Sequence, residues 1–242
     1  MARHHPGFTI IEATLVLAIT GLIIAVILVG IGNSLHHQRY TDAINQTTDF
    51  FRGQYTGTTS VANSRPNSEN CNASGITTDT QSIRGSSECL LLGRIIRSTD
   101  GQSVTVNQVI ALHDPTDDTG AADMADDALL VASQLRQGNE IETYRPEWGT
   151  QLQRPGTDDP ASFTLLVVRT PVSGTIRTFA STSGTESIAG LLSNPVASQV
   201  DLRLCIDQTG FFGAGVSPMG ILVVRGAANT TGVQIIPSGE CT

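Results

Sequence analysis

Lysine is absent from this chain: all 14 basic residues are arginine. Covalent joining of subunits or domains through a lysine amine is therefore excluded. Basic excess is missing as well. The net charge is -8 with a pI near 5.0, and no basic tail is present, so a phosphate-tracking nucleic-acid surface is not favoured. No G-x-S-x-G elbow, P-loop or H-E-x-x-H occurs, and no histidine stands beside a nucleophile. His36 and His37 follow the apolar segment, and a non-enzymatic chain is expected. None of the four cysteines forms a C-x-x-C pair or has a histidine at ligand spacing, which leaves structural zinc without a ligand set. Charge is scarcest near the start: from Phe8 to Leu35 the only formal charge is Glu12.

That stretch is filled by an apolar run long enough to be a membrane helix, since about 20 apolar helical residues cross the hydrocarbon core. Ahead of it Arg3, His4 and His5 form a basic flank that stays cytoplasmic under the positive-inside rule, so the remainder faces outward. An ordinary secretory signal has an apolar region of only about 7 to 15 residues and a small-residue cleavage site, a poorer description of a run that continues into a helix. Glu12 lies one turn inside the apolar segment. A lone carboxylate at membrane depth costs several kcal/mol and marks a functional site by default. No arginine is near enough along the helix to pair with it. Cleavage after Gly7 would create a positive amine on Phe8, four residues away on the same face. That amine serves a neighbouring copy better than its own chain, because two parallel helices offset along their axes bring one amine level with the next carboxylate.

The short basic leader, Gly7 before the cut, Phe8 after it, Glu12 four residues on and Gly21 further along together resemble the class III signal peptide and N-terminal helix of type IV pilins and pseudopilins. The resemblance implies that a prepilin peptidase cuts between Gly7 and Phe8 and N-methylates Phe8, and that Glu12 guides assembly into a filament. Many major pilins carry a proline at the position held here by Val29. This chain has Gly30 and Gly32 nearby instead, and each glycine weakens a helix interior by roughly 1 kcal/mol against alanine, which suggests a flexible point there.

Beyond Ile31 the pattern becomes amphipathic. Leu35, Tyr40, Ala43, Ile44, Thr47, Phe50 and Phe51 mark one stripe, so the helix is expected to run to about Gly53. From Phe8 to Gly53 it would span on the order of 70 Å, half stalk and half spine of the head. The expected organisation is a leader (1–7), a transmembrane and assembly half of the helix (8–31), an amphipathic half (32–55) and a globular head (56–242). The fold class is α+β, a long N-terminal helix packed on an antiparallel sheet.

Thr56 to Ser87 is rich in Ser, Thr, Asn and Gly and reads as a surface loop. Asp100-Gly101 between apolar runs predicts a hairpin from Glu88–Ser98 and Ser103–His113. The acidic stretch from Asp114 to Asp127 has two readings. Asp114, Asp117 and Asp118 superficially resemble a calcium loop but lack its spaced ligands and closing glutamate. Asp123, Asp126 and Asp127 suit the N-terminus of a short helix through Gln137. Trp148, the only tryptophan, is expected to be buried rather than an adhesive patch. Later strands are expected at Ser162–Thr170, Thr175–Ala180, Gln199–Asp207, Gly220–Arg225 and Gly232–Pro237, with a helical turn or two at Glu186–Leu192.

Cys71, Cys89, Cys205 and Cys241 all follow the membrane segment, and an even count in an exported head reads as two disulfides. Three pairings are possible in principle, and proximity favours Cys71 with Cys89 and Cys205 with Cys241. The second of these is similar to the C-terminal disulfide loop of many pilins. Expected partners are other pilins in a helical filament, the prepilin peptidase and an inner-membrane assembly platform, with no cofactor. The function expected first is a structural subunit of a type IV pilus, held in the cytoplasmic membrane before assembly and in an extracellular filament afterwards. A pseudopilin of a type II secretion system is the second reading. The third, from another class, is a membrane-anchored extracellular binding protein.

Overall fold

The computed structural model describes residues 9–60, 69–72, 75–78, 89–112, 124–194, 196–207 and 219–241. Helix α1, Ile10–Thr59, is 50 residues long, about 75 Å at the usual rise. It continues past Gly53, where the sequence pattern predicts its end, because the next turns still bury side chains: Gln54, Tyr55 and Thr58 are all under 4 % exposed. Ser60 closes it, its amide bonding to the Thr56 carbonyl at 2.9 Å. Gly57 lies beneath the Arg94 side chain. A Cβ there would fall 2.6 Å from the Arg94 guanidinium, which reaches over the helix to Gln54 Oε1 at 2.6 Å.

After α1 come β1 (Glu69–Asn72) and β2 (Gly75–Thr78), an antiparallel pair inside the stretch expected to be irregular. The chain continues through β3 (Leu90–Ser98), β4 (Val104–Ala111), α2 (Asp126–Ala132), β5 (Leu135–Tyr144), β6 (Leu152–Gln153), β7 (Phe163–Arg169), β8 (Ile176–Ser181), α3 (Ile188–Ser193), β9 (Leu202–Ile206), β10 (Gly220–Val223) and β11 (Val233–Ile236). The remaining strands form two antiparallel sheets, a five-stranded one in the order β5-β4-β3-β7-β8 and a four-stranded one in the order β11-β10-β9-β6. The fold class is the expected α+β.

The turn between β3 and β4 shows how local chemistry places a strand pair. Gly101 adopts φ 65°, open to glycine at little cost. Asp100 accepts from the Ser103 and Gln102 amides at 3.0 Å each, and these bonds, Ser103 first, hold its carboxyl below the usual range.

Strand β7 is buried on both sides, and its side chains alternate with period two. Phe163, Leu165 and Val167 join a core that contains Tyr40, Ile44, Phe51 and Tyr55 of α1 and Leu202, Leu204, Ile206, Ile221 and Val233 of the four-stranded sheet. Leu166 and Val168 point the other way, into a second core covered by Leu130 of α2 and Ile188 and Leu191 of α3. The C-terminal half of α1 thus lies between two sheets, and the five-stranded sheet is covered on both faces.

Two further expectations are corrected. The helix predicted through Gln137 ends at Ala132, and Gln134 takes φ 50° before the chain becomes strand β5. The acidic start survives, with Asp126 and Asp127 in its first turn. The edge of β4 recruits the residues beyond that turn, pairing Ala111 with Leu135 through Val104 with Tyr144, and Asn107 Nδ2 bridges the register shift by donating to the Gly138 and Glu140 carbonyls at 3.3 and 3.0 Å. The second correction is Trp148, which is half exposed rather than buried.

Candidate functional site: the apolar half of the first helix and its junction with the head

Every described residue from Thr9 to Ile31 is exposed. Fifteen large apolar side chains from Ile10 to Leu35 stand open on this half of the helix, which is long and apolar enough to cross a membrane. Thr9 caps it: with extended backbone, its Oγ1 accepts from the Glu12 amide at 3.3 Å. Thr9-x-x-Glu12 is the spacing of a capping box, and an acid in the first turn is favoured by the helix dipole. Charge alone singles out Glu12 in the sequence and misses the Thr9 cap, although the signal stands three residues upstream.

The other hydroxyls of this segment are satisfied within the helix. Thr14 Oγ1 donates to the Ile11 carbonyl at 3.0 Å and Thr20 Oγ1 to the Val16 carbonyl at 2.8 Å. The Glu12 carboxylate differs, with no ion-pair or hydrogen-bond partner among the described residues. It is a single exposed acid near the end of an apolar rod. The helix passes unbroken through Gly21, Val29, Gly30 and Gly32, and at the three glycines an added Cβ would meet nothing within 4 Å. They are open notches on the rod's surface. Gly7 and Phe8, where the leader cut is expected, lie outside the described residues.

The junction with the head is rigidly tied. Tyr40 is buried, and its hydroxyl accepts from the Met219 amide at 2.8 Å and donates to the Ile206 carbonyl at 3.3 Å. Higher up, Phe50 stacks on Tyr144 with centroids 4.2 Å apart, and the Tyr144 hydroxyl bonds Thr47 at 3.0 Å. Burial raises the Tyr144 pKa despite that bond. Arg52 donates to the Val233 carbonyl at 3.1 Å, fixing the helix to the edge of the four-stranded sheet.

No protein-family model, curated protein or solved structure matches this chain.

Of the other residues named from the sequence, the cysteines pair as Cys71–Cys89 and Cys205–Cys241, with Cα atoms 5.0 and 5.7 Å apart. The first ties the β1–β2 hairpin to the start of β3; the second fastens the chain end to β9. Asp114, Asp117 and Asp118 lie outside the described residues, and among the described residues no group of three or more His, Cys, Asp or Glu side chains is placed to hold a metal ion. A groove of about 610 Å³ lies between α2, α3 and β5, lined by Val131, Leu135, Arg136, Ile188 and Leu192.

Proposed function

We propose that this chain is a pilin-like structural subunit, stored in a membrane through α1 and drawn from it into a helical filament. The observation that carries the proposal is the unpartnered Glu12 carboxylate on a helix whose surface is otherwise uncharged and fully exposed from Thr9 to Ile31. A rod of this kind is stable only against another apolar phase, either lipid or the same rod of other copies. Glu12 gives that packing a register. Cleavage after Gly7 frees the amine of Phe8, and the carboxylate of one subunit neutralises the amine of its neighbour as the helices leave lipid and pack with heads outward. The ion pair also offsets the several kcal/mol that a lone acid would cost once the packed helices enclose it in an apolar core.

The N-terminus tests this directly. With no lysine in the sequence, the chain's α-amine is its only amine, so an amine-reactive label followed by mass spectrometry reads a single site. The expected product begins at Phe8 and is N-methylated; an intact Met1, or a cut anywhere but after Gly7, removes the family assignment. Gly7→Val is expected to block the cut, leaving only the longer species on a gel. Glu12→Ala is expected to leave membrane insertion intact and to lower incorporation into filaments, and normal incorporation would refute the charge-pair mechanism.

One observation favours a pseudopilin or minor member over a major pilin. Val29 occupies the place where many major pilins have proline, and the helix runs through it without a break. Copy number in isolated filaments separates these readings. A membrane-anchored binding protein, for which the groove beside α3 would be the candidate site, is tested by the same leader analysis, since it needs no cut.

A further inference from the structure

At the base of the head is a feature that the Glu12 charge pair does not involve. Trp148 is the chain's only tryptophan and is 50 % exposed. It sits in a single 3-10 turn, Glu147–Gly149, at φ 59°, a left-handed backbone unusual for a bulky side chain. The backbone is pinned on both sides of it. Pro146 and Thr150 are buried, and the Thr150 amide and hydroxyl both donate to the Glu147 carbonyl, at 3.1 and 2.8 Å. The turn packs against α1. The Arg39 guanidinium carbon lies 4.9 Å from the centre of the indole ring, a cation–π contact made at the surface.

The position of the pair along α1 matters. Exposed apolar side chains on the helix end at Leu35, itself 45 % exposed. Arg39 is one turn further on the same face, about 6 Å along the axis. Helical side chains lean toward the N-terminus, so the guanidinium and the ring over it lie on the side that faces the apolar span. The headgroup layer on each side of a bilayer is about 5–8 Å deep. With Leu35 at the edge of the hydrocarbon, the Arg39–Trp148 pair lies at headgroup depth. Around it the exposed charges balance, Arg39 and Arg145 against Asp42 and Glu147. That balance suits a zwitterionic surface rather than a strongly anionic one.

We infer that Trp148 and Arg39 form an interfacial anchor that seats the head on the phospholipid headgroup layer while α1 is in the membrane, the indole at the glycerol and carbonyl level and the guanidinium on phosphate. Tryptophan favours this level because its ring is apolar and its N–H is polar. Here the head supplies the aromatic belt, and the helix supplies the cation. Seating the anchor also sets the depth of Glu12. Leu35 and Glu12 are separated by about 35 Å of helix against about 30 Å of hydrocarbon, so the anchored subunit holds its carboxylate at the opposite boundary rather than in the oil. The inference rests on the reading of α1 as a membrane span.

The test uses the full chain reconstituted in phosphatidylcholine vesicles, with Trp148 as the only indole reporter. Flotation with the vesicles reads the span; quenching of the indole by lipid brominated just below the headgroups reads the anchor. The expected result is flotation together with a roughly two-fold loss of emission from those lipids and little quenching by aqueous iodide, as for belt tryptophans. Arg39→Gln is expected to weaken the bromolipid quenching without affecting flotation, and unchanged quenching would remove Arg39 from the anchor. A protein that floats while its indole is open to iodide and unaffected by bromolipid overturns the anchor but leaves the span. An indole shielded from both quenchers overturns it too, and points to a neighbouring copy on this surface. Failure to float overturns the span and the anchor together.

Discussion

The two halves of α1 share one backbone and need different surroundings. From Thr9 to Ile31 no described side chain is buried, whereas Tyr40, Ala43, Ile44, Thr47, Thr48, Phe51, Gln54, Tyr55 and Thr58 are nearly inaccessible. Both halves satisfy their backbone hydrogen bonds internally, so helical bonding does not distinguish them. Apolar surface does. Fifteen exposed large apolar residues from Ile10 to Leu35 represent, at roughly 1.5–3 kcal/mol each, a cost in water on the order of tens of kcal/mol. The second half meets that need within its own chain, between two sheets. The first half has no such cover among the described residues, and the proposed burial in lipid or among other copies would supply it. A continuous helix therefore couples a half enclosed by its own head to a half whose apolar side chains stand open.

Substitutions on either side of the junction sharpen this contrast. Phe51→Ala is expected to cost the head about 3–5 kcal/mol in denaturant unfolding, the usual range for emptying a buried aromatic site. Ile24→Ala on the exposed half is expected to leave that unfolding unchanged; a comparable loss would show that the halves are not energetically separate. Replacing Cys205 and Cys241 with serine opens a closure with a sequence separation of 36, and a loss of about 3–4 kcal/mol is expected from the loop entropy returned to the unfolded chain.

Alkaline titration reports the interior of the head. Burial lifts the Tyr55 hydroxyl from 10.0 to about 12, while the Thr178 hydrogen bond pulls it down. The folded chain thus holds this proton more tightly than the unfolded one. Its contribution is intact below about pH 10 and is lost as the pH rises through about 12, a change of roughly 2–3 kcal/mol. Tyr55→Phe should flatten that part of the stability profile, and an unaltered profile would assign the alkaline loss to other groups. At the junction, Tyr40→Phe leaves the half-buried Met219 amide without its acceptor and is expected to cost about 1–2 kcal/mol. Arg39→Ala at the exposed base should change unfolding by less than about 1 kcal/mol, although the same residue is expected to matter for membrane seating.

Much of the head is readable from local chemistry. Asp100-Gly101 places the β3–β4 hairpin because few turns other than a tight one use that pair so well. The run from Phe163 to Arg169 is apolar at nearly every position because β7 is covered on both faces. Strand β5 was not legible. Arg136, Gln137, Asn139, Glu140 and Glu142 give it the polarity of a loop, and it is a strand because the edge of β4 offers it hydrogen bonds. The same limit applies to the end of α1, where the apolar stripe predicts a stop at about Gly53 and burial of Tyr55 and Thr58 carries the helix on to Thr59. Tryptophan is usually packed away, and Trp148 instead stands half exposed on a left-handed turn.

Order along the chain settles the long apolar helix, its isolated acid at Glu12 and the even set of cysteines, because these rest on composition and spacing that no folding alters. Three-dimensional packing settles the rest: which half of the helix is enclosed, which edge accepts β5, and which face carries Trp148 beside Arg39. Those outcomes depend on contacts between segments distant in sequence, where a neighbour's surface outweighs local preferences worth only about 1 kcal/mol per residue.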